Sequence, residues 1–254
     1  MMVETLVVDT HNHVGGWSEL YADGSIDDFV RRMDSAGVDK ACINHIYTPD
    51  ATRANDIVAR CVEKHPDRLY GVAYVTPQYQ NEAIPELERA FDRLGMKYLF
   101  IPDTTFSQYP MDDSRYERIY DWVSARGFAI MCNIPQASDV GPSPGERYAA
   151  IADKYPNVNW VIAHSGNTAD GQEQSVLAAR LAPNVYLETC SSWGEHGTIE
   201  YLVEGAGEDR VLFGSDLALM DPRSQLGRIV TADISDDSKH KVLGLNAVRV
   251  LGLE

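Results

Sequence analysis

Val8-Asp9-Thr10-His11-Asn12-His13 closes the first apolar, β-branched run of this chain. Two histidines one residue apart, directly after a strand-like segment, make the fold depend on what the other runs end in. Seven more such runs follow at intervals of roughly thirty residues. They read Asp39–Ile46, Leu69–Val75, Lys97–Ile101, Phe128–Asn133, Val158–His164, Val185–Glu188 and Val211–Phe213, and the first spans Thr5–Asp9. Short, continuously apolar strands suit a parallel sheet buried on both faces.

Helical patterns fill the intervals. Ile26, Phe29, Val30 and Met33 recur at i, i+3, i+4 and i+7, with Ser25 and Asp28 as a capping pair and Gly37 as the stop. Ile57, Val58, Cys61 and Val62 form a second stripe, and Ile84, Leu87, Phe91 and Leu94 a third. Further helices are expected over Tyr116–Ala125, Glu146–Tyr155, Gln172–Leu181, Gly197–Gly205 and Asp237–Leu251, with Gly141–Gly145 as a Gly- and Pro-rich loop. Strands and helices alternate with no linker or composition break from residue 1 to residue 254. That pattern predicts an α/β fold, a single (β/α)8 TIM barrel. A doubly wound open sheet is the alternative, but no Gly-x-Gly-x-x-Gly or P-loop supports it.

The net charge of −16 repels phosphate backbones and argues against nucleic acid as a partner. The four cysteines, Cys42, Cys61, Cys132 and Cys190, include no Cys-x-x-Cys pair. Cys42, Cys132 and Cys190 lie within apolar runs and are expected to be small core residues. Reduced thiols, no long apolar N-terminal segment and no membrane-length apolar run make a cytoplasmic protein without membrane contact the expectation.

A barrel carries its active site at the C-terminal ends of its strands. Strand 1 ends at His11 and His13, strand 5 at Asn133, strand 6 at His164 and strand 8 at Asp216. Residues i and i+2 of a strand share a side, so His11 and His13 can converge on one ion. Imidazole nitrogens plus a carboxylate suit Zn²⁺ or a similar cation.

In these segments the chain resembles the amidohydrolase superfamily, in the amidohydrolase 2 branch of aminocarboxymuconate-semialdehyde decarboxylase-like and pyrone-dicarboxylate lactonase-like enzymes. The matching stretches are Val8–His13, Asn55-Asp56, His65–Gly71, Asn157–Gly166, Arg210–Asp216 and Gly244–Ala247. The resemblance implies His11, His13 and Asp216 as ligands of one divalent metal, Zn²⁺ first and Mn²⁺ second. It implies His164 and Asp216 as the catalytic groups moving protons. The expected activity is metal-dependent hydrolysis of a lactone or amide in a small carboxylated or cyclic substrate. The alternatives are non-oxidative decarboxylation of a small carboxylic acid on the same site, or a metal-free lactonase or ligand-binding barrel. A homodimer is the oligomer the resemblance suggests.

Two departures stand out. Asn133 occupies the strand-5 place where the branch carries a histidine ligand, and an amide oxygen is a poorer donor than imidazole. Lys97 sits at the wrong end of strand 4 to bridge two metals. A TatD-type nuclease also opens with Asp-Thr-His-x-His, but it expects a strand-4 glutamate where this chain has Phe100-Ile101-Pro102. For the substrate, Arg223 and Arg53 are the candidate carboxylate clamps, with Asn133, Trp193 and Tyr47 as further lining residues.

Overall fold

The computed structural model describes residues 5–15, 25–102, 109–135, 141–191 and 194–253. Every strand pairing in it is parallel. Strands β1 (Val8–Asp9), β2 (Lys40–Ile43) and β3 (Leu69–Gly71) form one ladder. Strands β4 (Ala73–Tyr74), β5 (Leu99–Ile101), β6 (Ile130–Cys132), β7 (Trp160–Ile162), β8 (Val185–Glu188) and β9 (Val211–Leu212) form the other. The two ladders join at Val72. Its N–H reaches Ile43 O at 2.9 Å on one side, and Ala73 N reaches Tyr98 O at 2.9 Å on the other. β3 and β4 are therefore the two halves of the predicted third strand, and the later strand numbers run one ahead of the sequence count.

Closure comes from the segment after β1. Thr10 N donates to Phe213 O at 3.0 Å, Asp216 N to His11 O at 2.8 Å and His13 N to Leu217 O at 2.8 Å. The molecule is the (β/α)8 barrel the alternation predicts. Its regular strands are shorter than the apolar runs, because the mouth of the barrel is held by loop and side-chain hydrogen bonds rather than by continued ladder.

The strand residues split by parity into two apolar clusters, as a period of two requires. Ile43, Leu99, Ile101, Ile130, Trp160, Ile162, Leu187 and Val211 pack with helix residues such as Met33, Val58, Leu87, Val123, Tyr148 and Val176. Val8, Cys42, Val72, Tyr74, Tyr98, Phe100, Met131, Val161, Tyr186 and Leu212 form the second cluster, the filled interior of the barrel.

The helices start and stop where their caps predict. Ser25 accepts from Asp28 N at the head of α1 (Ile26–Ala36), and Gly37 ends it at φ 78°. The Gly/Pro segment expected to be a loop is a helix start. Ser143 and Glu146 form a capping box with Pro144 in the first turn of Pro144–Lys154. The sequence reading missed one helix, Pro222–Val230, capped by Asp221. No helix among the described residues is long and apolar enough to cross a membrane.

One interior contact bears directly on the site. Tyr98, 1% exposed, donates its hydroxyl to the carbonyl of Thr10, the residue before His11. Tyr98→Phe strips a buried acceptor of its donor and is expected to cost about 1–3 kcal/mol. Urea unfolding measures this. An unchanged midpoint would show that the Thr10 carbonyl does not depend on it.

Candidate metal centre and its surroundings

His11 and His13 lie just beyond β1, with His13 in an isolated parallel bridge to Asn44. Their ring centroids are 5.1 Å apart and nearly perpendicular. Asp216 follows β9 at φ 58°, a left-handed conformation that turns its carboxyl inward. His164 follows β7 in a tight turn, also left-handed at φ 60°, and its ring lies 4.6 Å from that of His11. The barrel thus gathers His11, His13, His164 and Asp216 at one mouth. Donor atoms of His11, His13 and Asp216 all lie within 4.8 Å of one another.

Each of these histidines has one nitrogen committed outward. His13 Nδ1 donates to Asn44 Oδ1 at 2.5 Å, which leaves Nε2, 3.3 Å from Asp216 Oδ1, as the lone-pair nitrogen. His11 Nδ1 donates to Glu188 Oε2 at 2.9 Å. His11 Nε2 is buried with no hydrogen-bond partner, and so is Asp216 Oδ1. Buried polar atoms rarely go unmatched. Two converging imidazole nitrogens and one carboxylate oxygen, of which His11 Nε2 and Asp216 Oδ1 are unsatisfied, fit a divalent cation. Glu188 and Asn44 stand where outer partners hold the tautomer of a metal-ligating histidine.

Burial sets the charges. It pushes His11 down to about 3 and His13 to about 3; for His13 the neighbouring His11 adds to the effect. Both rings are neutral at pH 7, so the His11–Glu188 contact is a hydrogen bond rather than an ion pair, and His13 Nε2 and Asp216 Oδ1 face each other at 3.3 Å without one. Burial raises Asp216 to about 8, with the charges of Glu188 and Asp9 adding to it. Asp9 rises to about 7 by burial, against hydrogen bonds from Ser215. Glu188 is raised as well, again by burial first. Among the described residues, no lysine or arginine hydrogen-bonds to any of these three carboxyl groups.

Glu188 is the residue the sequence reading passed over. It ends β8 fully buried, and Oε1 accepts Cys190 N at 2.5 Å while Oε2 accepts His164 N at 3.0 Å. Applying the strand-end rule to Val185–Glu188 would have found it, and the i+2 rule would then have found Cys190. Cys190 is buried, as expected of a core thiol, but lies among these polar groups, with Sγ 3.0 Å from His164 Nδ1. Only glycine fits at 214, since a Cβ there would lie 2.1 Å from Glu188 Oε1.

The substrate candidates divide. Tyr47, half-buried, stacks edge-on 6.1 Å from His13, and Phe100 faces His11 at 5.1 Å. Burial and the Asp216 charge raise the Tyr47 phenol. Asn133 follows β6 at the same end, half-buried. Arg223 is elsewhere: its side chain is 68% exposed and tied to Asp221 at 2.6 Å. Arg53 is exposed in the first turn of Ala51–Lys64. Neither arginine is among the side chains brought to the histidines. Trp193 lies outside the described residues.

The model of the amidohydrolase family, amidohydrolase 2 branch, matches residues 8–253. The chain belongs to this family. It is therefore an enzyme, a hydrolase or a carboxy-lyase. Similar solved structures include 5-carboxyvanillate decarboxylase from Novosphingobium aromaticivorans DSM 12444, complexed with manganese and 4-hydroxy-3-methoxy-5-nitrobenzoic acid. It is 18% identical with TM-score 0.79, and the match covers 100% of both chains. The 2,6-dihydroxybenzoate decarboxylase from Rhizobium is 18% identical with TM-score 0.78, over 98% of this chain and 99% of that one. The 5-carboxyvanillate decarboxylase LigW from Sphingomonas paucimobilis is 19% identical with TM-score 0.74, over 98% and 100%. No curated protein matches the chain.

The shifted groups set a pH window. Below the ordinary histidine value of 6.5, the unfolded chain binds more protons at positions 11 and 13, so those rings add stability as pH rises. Asp9 and Asp216 act oppositely, from their ordinary 3.8 up to about 7 and about 8. Above pH 6.5 only the carboxyl effect remains. The metal-free protein is expected to melt at a lower temperature at pH 8 than at pH 6.5, and saturating Zn²⁺ or Mn²⁺ is expected to reduce the fall by the Asp216 share. Thermal scans with and without cation measure it. A melting temperature that rises across this window without cation contradicts the assignment.

Proposed function

We propose that the enzyme is a metal-dependent, non-oxidative decarboxylase of a small aromatic carboxylic acid. The observation that carries this reading is the pair of unsatisfied buried atoms, His11 Nε2 and Asp216 Oδ1, beside His164 and against the rings of Phe100 and Tyr47. The decarboxylase neighbours favour this over hydrolysis, which the sequence alone put first.

His11, His13 and Asp216 would hold the cation, with Asn133 at the place of the usual fourth ligand. Two nitrogens and a carboxylate suit Zn²⁺, and Mn²⁺, the ion in the Novosphingobium complex, is the second candidate. A bound cation would supply fixed positive charge for the substrate's carboxylate and an adjacent oxygen. That charge matters because Arg223 is exposed and paired with Asp221, and Arg53 is exposed on its helix. The phenyl ring of Phe100 and the phenol of Tyr47 would stack on or edge the substrate ring and exclude water.

The chemical step breaks the bond between ring carbon and carboxylate. CO₂ leaves, the electron pair stays on the ring carbon, and that carbon takes a proton. His164 would take a proton from water at Nε2, give it to that carbon, and return to the neutral ring. Asp216, whose carboxyl holds a proton up to about pH 8 before a cation binds, is the second group able to move one. The remaining expectations stand as part of this reading: a small-molecule partner, no nucleic acid, and a homodimer to be tested by sedimentation.

The test is CO₂ release from a panel of hydroxybenzoates by the Zn²⁺- or Mn²⁺-loaded protein, alongside lactone and amide hydrolysis. Decarboxylation is expected, with His164→Ala lowering kcat by about 10²–10⁴-fold. Hydrolysis of lactones with no CO₂ from any acid would overturn the reading.

A further inference from the structure

Cys190 is a buried thiol that the chemistry above does not use, and it sits between two groups that chemistry does use. Its Sγ is 3.0 Å from His164 Nδ1 and 3.1 Å from Glu188 Oε2, with the thiol donating to the carboxylate. Glu188 Oε2 in turn accepts from His11 Nδ1 at 2.9 Å. The atoms form an unbroken chain: His164 Nδ1–H to Sγ, S–H to Oε2, and Oε2 from Nδ1–H of His11. A thiol serves this position because sulfur can donate and accept at once.

These four side chains are also of metal-binding types, and their donor atoms cluster within 4.8 Å. Their contacts of 2.9, 3.0 and 3.1 Å are those of hydrogen bonds. Ligand atoms around a tetrahedral Zn²⁺ sit about 3.3–3.6 Å apart, by the bond lengths such ions take. At 2.9, 3.0 and 3.1 Å the four side chains form a hydrogen-bonded relay.

We propose that Cys190 is a positioning residue that fixes the tautomer of His164. By accepting from Nδ1–H, Sγ commits that nitrogen and leaves Nε2 as the nitrogen that takes and gives the proton. Through Glu188 the same relay locks His11, so the metal-side face of His11 and the proton-transfer face of His164 are set by one carboxylate. Gly214 leaves the room for that carboxylate, and Ser165 Oγ, donating to Glu188 O at 2.7 Å, pins the turn carrying His164 to β8. This assignment rests on the proposed acid/base role of His164 for its kinetic consequence. Its structural consequence stands apart from any reaction.

The experiment is ¹⁵N NMR of the histidine side chains in protein loaded with a diamagnetic cation, at a pH where the rings are neutral. The wild type is expected to show His164 as the Nδ1–H tautomer, Cys190→Ala to shift it toward Nε2–H, and Cys190→Ser to restore Nδ1–H. Cys132→Ala, at another buried thiol, is expected to leave it unchanged. A wild-type Nε2–H tautomer, or no change in Cys190→Ala, overturns the proposal. Thermal melts establish that each variant is folded, and the serine variant keeps the test decisive if the alanine variant is not. Once a substrate is turned over, Cys190→Ala is expected to lower kcat about tenfold or more with KM and bound cation unchanged. If the tautomer shifts as expected but no acid is decarboxylated, the functional reading fails and the positioning role stands.

Discussion

Three buried carboxyl groups, Asp9, Glu188 and Asp216, surround two histidines that burial keeps neutral. Much of the barrel mouth answers to that arrangement. Removing charge from water is costly, and proteins meet the cost with hydrogen bonds, with protonation or with a cation. Asp9 takes the first route, accepting from Ser215 N at 2.9 Å and from the Ser215 hydroxyl, so that it ties β1 to the segment after β9. Glu188 takes it too, gathering donors from His11, His164 and Cys190. Asp216 Oδ1 has no hydrogen-bond partner among the described residues. It holds a proton to about pH 8, or it holds an ion.

The backbone is bent to serve this arrangement. His164, Ser165 and Asp216 have φ of 60°, 42° and 58°, values that cost non-glycine residues on the order of 1–3 kcal/mol each. The short regular strands belong to the same picture. The ladder stops early, side chains at the mouth carry closure, and those side chains lead directly to His11, His13 and Asp216. Stability and chemistry share residues here: Tyr98 fills the interior and holds Thr10, while Asp9 closes the barrel and adds to the charge that raises Asp216.

The barrel was legible because its signal is repetitive. Apolar runs and helical stripes recur along the chain, and caps such as Ser25 and Gly37 fall where the pattern breaks. His11, His13, His164 and Asp216 were legible by one rule, reading the ends of strands. Glu188 obeyed the same rule, but the run that it ends was not read that way. Cys190 is buried as expected, but its polar setting is not legible in sequence: an apolar neighbourhood along the chain does not exclude a polar one in space, and the turn after β8 brings its sulfur to His164. The arginines show a different limit. Arg223 is spent on Asp221, two residues away, and side-chain pairing of that kind leaves no trace in spacing or periodicity. Tyr47 reaches the mouth because β2 ends close by, whereas Arg53 lies on the helix beyond it.

Metal analysis of the folded protein after cation loading and desalting tests the role of the mouth most directly. One divalent ion per chain in the wild type and in His164→Ala, and none in His13→Ala or Asp216→Ala, is the predicted result. A wild-type chain that retains no ion after loading with either Zn²⁺ or Mn²⁺, or an ion retained equally by the His13 and Asp216 variants, contradicts it.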